Sequence, residues 1–240
     1  MPTALITGAG RANGIAAATA RRLAADGWDL GLQHFDEDVR PLLTELDHGP
    51  GTGRIHVHDA DLGDPDAAAG TFAAVTAALG EVTALLLVHT HCEPRGLLAT
   101  RAEHLDRHYA VNVRAALLLI QAFAEQLRAP SGRIIALTSD HFTPENLAYG
   151  TTKAALDRIV LAAARELGPR GVRANCINPG PTDTGWMTPE IYESARESTP
   201  LGRVGLPEDA ARLAGFLVSD EGAWVTGQVL YSNGGFRLNV

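Results

Sequence analysis

A chain of 240 residues, 45% hydrophobic but only 5% aromatic, can bury the core of one α/β domain built from Ala, Leu, Val and Ile. Its formal charge of −8 argues against a nucleic-acid or anionic-membrane partner, since either favours a basic patch. Two cysteines without metal spacing, no signal-peptide pattern and no apolar run near the roughly 20 residues that cross a bilayer set the expectation of a reduced, cytoplasmic protein.

Thr3-Ala4-Leu5-Ile6-Thr7 reads as a first strand, followed by the loop Gly8-Ala9-Gly10-Arg11-Ala12-Asn13-Gly14-Ile15-Ala16 and an alanine-rich helix to about Asp26. Strand, glycine-rich turn and helix in that order form a phosphate cradle. Gly8 permits the tight turn, Gly14 lets backbone approach a pyrophosphate, and Ala16 allows close helix packing. Unpaired amides at the helix start face the anion. A second strand is predicted at 29–33, a helix at 38–46 and a third strand at 54–58. Asp64 as cap and Pro65 in the first turn open a helix toward Leu79, and 84–89 is a fully apolar fourth strand. Thr100-Arg101-Ala102-Glu103 reads as a capping box opening a helical stretch to about 128. Strands at 133–139, 172–178 and 228–232 alternate with helices at 149–168 and 207–219. No break marks a second domain, so 1–240 is expected to be one unit. Strands apolar on both faces and joined by helices imply a parallel sheet covered on both sides, a doubly wound Rossmann-type domain.

Three residues carry the chemistry. Tyr149 and Lys153 stand at i and i+4 of a predicted helix and share a face, with Ser139 just upstream at a strand end. A free tyrosine titrates near 10, so exchanging a proton near neutrality calls for a shift of about 3 units, or about 4 kcal/mol, which a neighbouring lysine cation biases in the needed direction. Such a set can protonate a carbonyl oxygen.

With the glycine loop and this set on the page, the whole chain resembles the short-chain dehydrogenase/reductase family. Further matches are Asp61-Leu62, Asn112, and Asn178-Pro179-Gly180 running on to Thr184. Pro200-Leu201-Gly202-Arg203, Pro207-Glu208-Asp209 and Thr226-Gly227-Gln228 are similar to the branch containing 3-oxoacyl-carrier-protein reductases. The resemblance implies a seven-stranded parallel sheet, an NAD or NADP cofactor, a homodimer or homotetramer, and interconversion of a small-molecule ketone and secondary alcohol, with 3-oxoacyl thioesters among the candidates. It implies Tyr149 as general acid or base, Ser139 as the group holding the substrate oxygen, and Lys153 as the cation that lowers the tyrosine pKa and grips the nicotinamide ribose. Asn112 would position a water relaying protons to the lysine. Gly8, Arg11, Asn13, Gly14 and Ile15 would line the phosphates, Asp61 and Leu62 the adenine, and Pro179, Gly180 and Thr184 the nicotinamide end. His34 and His89, with Tyr149 and Lys153, complete the cofactor-binding set.

Several positions depart from the family pattern. Five residues separate Gly8 from Gly14 where three are common, a spacing similar to that of enoyl-carrier-protein reductases. Enoyl reduction is therefore one alternative, and a non-catalytic NADP-binding sensor of the same fold is another. His89-Thr90-His91-Cys92 replaces Asn-Asn-Ala-Gly, the link from Ser139 to Tyr149 is shortened, and Ser232-Asn233 precedes the final glycines where an acid is common. Position 34 lacks the carboxylate that accepts from an NAD ribose, and Arg11 suits a phosphate, so NADP is expected, with NAD as the alternative through Asp36. Neither His104/His108 nor His89/His91 completes a metal site, and no metal is expected. His89, His91 and His141 are read as pocket lining. Segment 185–206, with Trp186, Met187, Ile191 and Tyr192, is read as a flap over a partly hydrophobic substrate.

Overall fold

The computed structural model describes residues 1–46, 53–140 and 145–236. Seven parallel strands form one sheet in the order β3-β2-β1-β4-β5-β6-β7. They are β1 (Thr3–Thr7), β2 (Asp29–His34), β3 (Ile55–Asp59), β4 (Ala84–Leu87), β5 (Gly132–Leu137), β6 (Val172–Asn178) and β7 (Val229–Tyr231). After β3 the chain crosses back over β1 to lay down β4, so strand order reverses between β1 and β4. That reversal leaves a crevice at their carboxyl ends, where the connecting loops part.

The central strands are apolar on both faces, and both faces are covered. Leu5, Leu85, Leu87 and Ile134 pack against Phe72, Val75, Leu119, Phe123, Leu156 and Val160, from α3 (Ala67–Leu79), α5 (Ala115–Gln126) and α6 (Leu147–Leu167). Ile6, Leu30, Leu86 and Ile135 pack on the other side against Leu23, Leu42, Ala214 and Leu217, from α1 (Ile15–Ala25), α2 (Arg40–Leu46) and α8 (Pro207–Val218). Each such fully buried Leu, Ile or Phe contributes about 1.5–3 kcal/mol relative to exposure, so the sheet centre is the rigid platform from which the loops project. Among the described residues no helix is long and apolar enough to cross a membrane.

Three predicted helix starts shift. Asp64 does not cap α3: its carboxylate accepts from the Asp66 amide at 2.9 Å, and the helix begins at Ala67 with Asp66 as cap. Thr100 donates to the Gly96 carbonyl at 2.9 Å instead of capping, and Arg101 precedes α4 (Ala102–Tyr109). Asp38 is occupied by Arg40, bonded at 2.7 and 2.9 Å, and α2 starts at Arg40 rather than 38. In each case a polar side chain satisfies a turn before the helix begins. The stretch predicted as continuous helix to 128 holds a π-helical turn at Ala110–Arg114, and segment 185–206 contains a helix, α7 (Pro189–Glu197), capped by the Thr188 hydroxyl.

Candidate active site

Ser139 follows β5 and Tyr149 sits in the first turns of α6, and their hydroxyls are hydrogen-bonded. The buried face of α6 runs through Ala148, Thr152, Leu156, Val160 and Ala164, and Lys153 lies on that face, 2% exposed. A lysine there is held by geometry: Nζ donates to the Leu137 carbonyl at the end of β5, at 2.8 Å, and stands 5.7 Å from the Tyr149 ring centroid. Ser139, Tyr149 and Lys153 thus converge at the carboxyl end of β5.

Their electrostatics correct one expectation. Burial pushes Tyr149 up, to about 12, against the pull of the Ser139 hydrogen bond. Burial pushes Lys153 down, to about 8. Desolvation disfavours whichever form is charged, and at Tyr149 it outweighs the Ser139 hydrogen bond that favours the phenolate. The tyrosine is a neutral donor at ordinary pH, not a phenol made acidic.

Asn112 occupies the π-helical turn. Its side-chain oxygen accepts from the His91 amide at 2.7 Å, and its nitrogen donates to the His91 carbonyl at 2.9 Å and to the Thr152 hydroxyl at 3.0 Å. The side chain therefore staples the segment after β4 to α6, one residue from Lys153.

His89 is buried rather than lining a pocket. Nε2 lies 3.0 Å from the Val111 carbonyl, which can only accept, so that nitrogen carries the proton and Nδ1 accepts from the Thr7 hydroxyl at 2.6 Å. Burial drives its pKa to about 3, and the ring is neutral. This Thr7-His89-Val111 chain ties β1 to the segment after β4 and to the π turn. His91 packs edge-on against His108, centroids 4.6 Å apart, and Cys92 reaches toward Asn146 beside the tyrosine. His141 lies outside the described residues. Among the described residues no group of His, Cys, Asp and Glu is arranged to hold a metal.

The glycine loop lies at the carboxyl end of β1. Gly8 has φ +73°, and a Cβ there would meet the His89 backbone at 2.7 Å, so glycine is required by both conformation and space. Gly14 caps α1 with no side chain bonding its first amides, Ile15 opens the helix, and Asn13 abuts Gly185 after β6. Gln33 was missed by sequence reasoning: its oxygen accepts from the Gly8 amide at 3.0 Å and its nitrogen donates to Ala60 at 2.8 Å, fixing the loop to β2 and β3. Its place at the carboxyl end of the predicted 29–33 strand, next to the glycine loop in such a sheet, was the available signal.

Beside the end of β2, Arg11 of the glycine loop pairs with Glu37 at 2.6 Å, the arginine exposed and the glutamate half-buried. The neighbouring His34 has a buried Nδ1 without a partner among the described residues. Asp61 is occupied by the Arg107 guanidinium at 2.9 Å and the Gly63 amide at 2.8 Å; although burial opposes it, these hold the carboxyl below its usual range, and Leu62 beside it is buried. Gly180 turns at φ +62° with its amide on Asn178, carrying the chain from Pro179 on toward Thr184. Trp186, Ile191 and Tyr192 are exposed in the segment beyond, as are Leu97 and Leu98 after β4. A concavity of about 830 Å³ opens at the opposite end of the sheet among Trp28, Arg133 and Phe216, away from these groups.

Known proteins match this chain over nearly its whole length. Residues 8–237 match the family profile described as enoyl-(acyl carrier protein) reductase. An uncharacterized oxidoreductase of Bacillus subtilis is 38% identical, covering 97% of this chain and 96% of its own. A promiscuous reductase that catalyses keto-reduction at C1 during lugdunomycin biosynthesis superposes with a TM-score of 0.91 at 32% identity, covering 99% and 98%. A Burkholderia cenocepacia short chain dehydrogenase in complex with NADP gives 0.89 at 31%, covering 97% and 96%.

Proposed function

Since the chain belongs to the short-chain dehydrogenase/reductase family and is an NAD(P)-dependent oxidoreductase, we propose that it reduces a small ketone to a secondary alcohol with NADPH, using Tyr149 as proton donor. The observation that carries this reading is the Ser139–Tyr149 hydrogen bond set beside the buried Lys153. A phenol held protonated to about pH 12 can give its proton to an oxygen that gains alkoxide character as the carbonyl is reduced, and the same burial disfavours the reverse reaction, which needs phenolate. Ser139 holds the substrate oxygen within reach of that proton. Lys153, close to its midpoint of about 8, stabilises the phenolate left behind and is placed to bind the nicotinamide ribose hydroxyls. Bound in the crevice, the dinucleotide supplies the hydride.

The residues at the β1 and β2 ends fit a phosphorylated dinucleotide. Gly8 leaves space no side chain could share, α1 begins with uncapped amides, and the unpartnered His34 nitrogen lies where a carboxylate would favour NAD. NADP in the Burkholderia relative, and in an angucycline C-6 ketoreductase with bound NADP at 28% identity and a TM-score of 0.89, supports the same choice. The exposed Leu97, Leu98, Trp186, Ile191 and Tyr192 suit a partly hydrophobic carbonyl, 3-oxoacyl thioesters included. The name of the family profile favours enoyl reduction as a second reading.

A screen of ketones, oxoacyl thioesters and enoyl thioesters with NADPH and NADH, followed at the reduced-nicotinamide absorbance, tests both. Consumption of NADPH with a ketone and recovery of the secondary alcohol supports the proposal. Saturated product from an enoyl substrate alone supports the second reading, and no turnover with any of the substrates overturns both.

A further inference from the structure

One carboxylate under the catalytic pair has no role in the account above. Asp157 stands one helical turn beyond Lys153 on α6, on the same face. It is hydrogen-bonded to Thr138 at the end of β5 and to Cys176 on β6, and its Oδ1 is buried without a partner among the described residues. The single Thr138 hydroxyl proton lies between this carboxylate and the Lys153 carbonyl, 3.3 Å away, so carboxylate and lysine share one seam between helix and sheet. Carrying a half-satisfied carboxylate there costs stability, which implies a return elsewhere.

That return is visible in what surrounds the ammonium. The groups facing Lys153 are Tyr149 and Asp157 from α6, His89 and Cys92 from the segment after β4, and Cys176 from β6. Burial keeps Tyr149 a phenol, both cysteines thiols and His89 a neutral ring. Burial raises the Asp157 carboxyl as well, opposed by its hydrogen bonds and by the neighbouring cations, and it is the acid in this set that supplies negative charge, while the direct hydrogen bond from Nζ goes to the uncharged Leu137 carbonyl. We propose that Asp157 is a positioning residue whose carboxylate keeps the buried Lys153 cationic, and so available to the tyrosine and to the ribose hydroxyls.

The proposal rests on the catalytic reading of Lys153, but its test does not, because Lys153 is the sole lysine of the chain and the other nineteen basic residues are arginines. Lysine labelled with 13C at Cε therefore gives a single lysine resonance, which reports the ionisation of Lys153 in the full protein. In Asp157→Asn the midpoint is expected to fall by about 0.5–1 unit, and in Asp157→Glu to return toward wild type. Should the Asn variant fail to fold, Asp157→Ser, which keeps a polar group for Thr138, serves for the same titration. A midpoint unchanged in a folded variant overturns the proposal, including the case where only thermal stability changes, because a purely structural carboxylate would behave that way. If the carbonyl screen finds turnover, the alkaline limb of kcat/KM is expected to shift with the resonance. If it finds none, the dehydrogenase reading fails and the titration still decides the role of Asp157.

Discussion

The two halves of the site are built differently. Around Tyr149 and Lys153 the groups are buried, linked through Ser139, Leu137, Thr138 and Asn112 to at least three elements, and far from their ordinary ionisation ranges. Beside the end of β2 the charged groups lie at the surface, and Arg11 and Glu37 meet in an ion pair of the kind worth about 0–1 kcal/mol. Burial makes a group's chemistry depend on its surroundings, whereas exposure leaves it adaptable. The first region is suited to a fixed chemical step, the second to adjusting affinity for the adenosine end of a cofactor.

If that contrast holds, substitutions should fall in a steep order. Lys153→Met is expected to lower kcat at least about 100-fold, and Lys153→Arg to rescue little, because a planar fork neither fits the Leu137 contact nor titrates. The same Met variant should be the more stable protein at neutral pH. The folded midpoint of about 8 lies below the unfolded value of 10.5, so the unfolded state holds more protons between about pH 8 and 10.5, and the cost of burying the cation is fully present below pH 8. Allowing for the lost Leu137 bond, denaturant unfolding at pH 7 should show a gain of about 1–2 kcal/mol. No gain would mean that the lysine is not buried at a cost, and the contrast would lose its basis.

His89 sharpens the comparison through acid. Its folded midpoint of about 3 lies below the unfolded 6.5, so stability is full above pH 6.5 and is lost as pH falls toward 3, by about 1.4 kcal/mol per unit from this group alone. His89→Asn should flatten the slope of unfolding free energy between pH 6.5 and 4. An unchanged slope would show that the Thr7-His89-Val111 chain does not persist in solution.

The smallest effect belongs to the exposed region. Glu37→Gln frees Arg11 and removes a negative charge beside it, so NADPH is expected to bind about 3- to 10-fold more tightly while NADH binding changes little. Fluorescence titration of both cofactors checks this, and equal tightening for the two would assign Glu37 no part in choosing between them.

The fold was legible because strands apolar on both faces, separated by helices, leave few arrangements, and because the Tyr149-Lys153 spacing states its own geometry on a helix. The misplaced helix starts, at Asp64 and Thr100, came from polar side chains that bond locally one turn early. The π turn that puts Asn112 against His91 and Thr152 leaves no periodic trace, since it depends on contacts more than 20 residues away. The expected acidity of Tyr149 failed for a related reason: one neighbour can be read from spacing, but desolvation is a property of everything packed around the group. Two signals were present and unused. A lone lysine among nineteen arginines marks a position where a titratable cation is needed, and Asp157 follows it by four residues, one helical turn on.

The central claim is that the Tyr149 hydroxyl, kept protonated by burial, donates to the substrate oxygen. Its most direct test is a single-turnover measurement of NADPH oxidation by wild type and Tyr149→Phe with the best ketone from the screen, alongside NADPH binding. Loss of turnover by at least about 1,000-fold with cofactor affinity nearly unchanged is the expected result. Full activity in the Phe variant would contradict the mechanism.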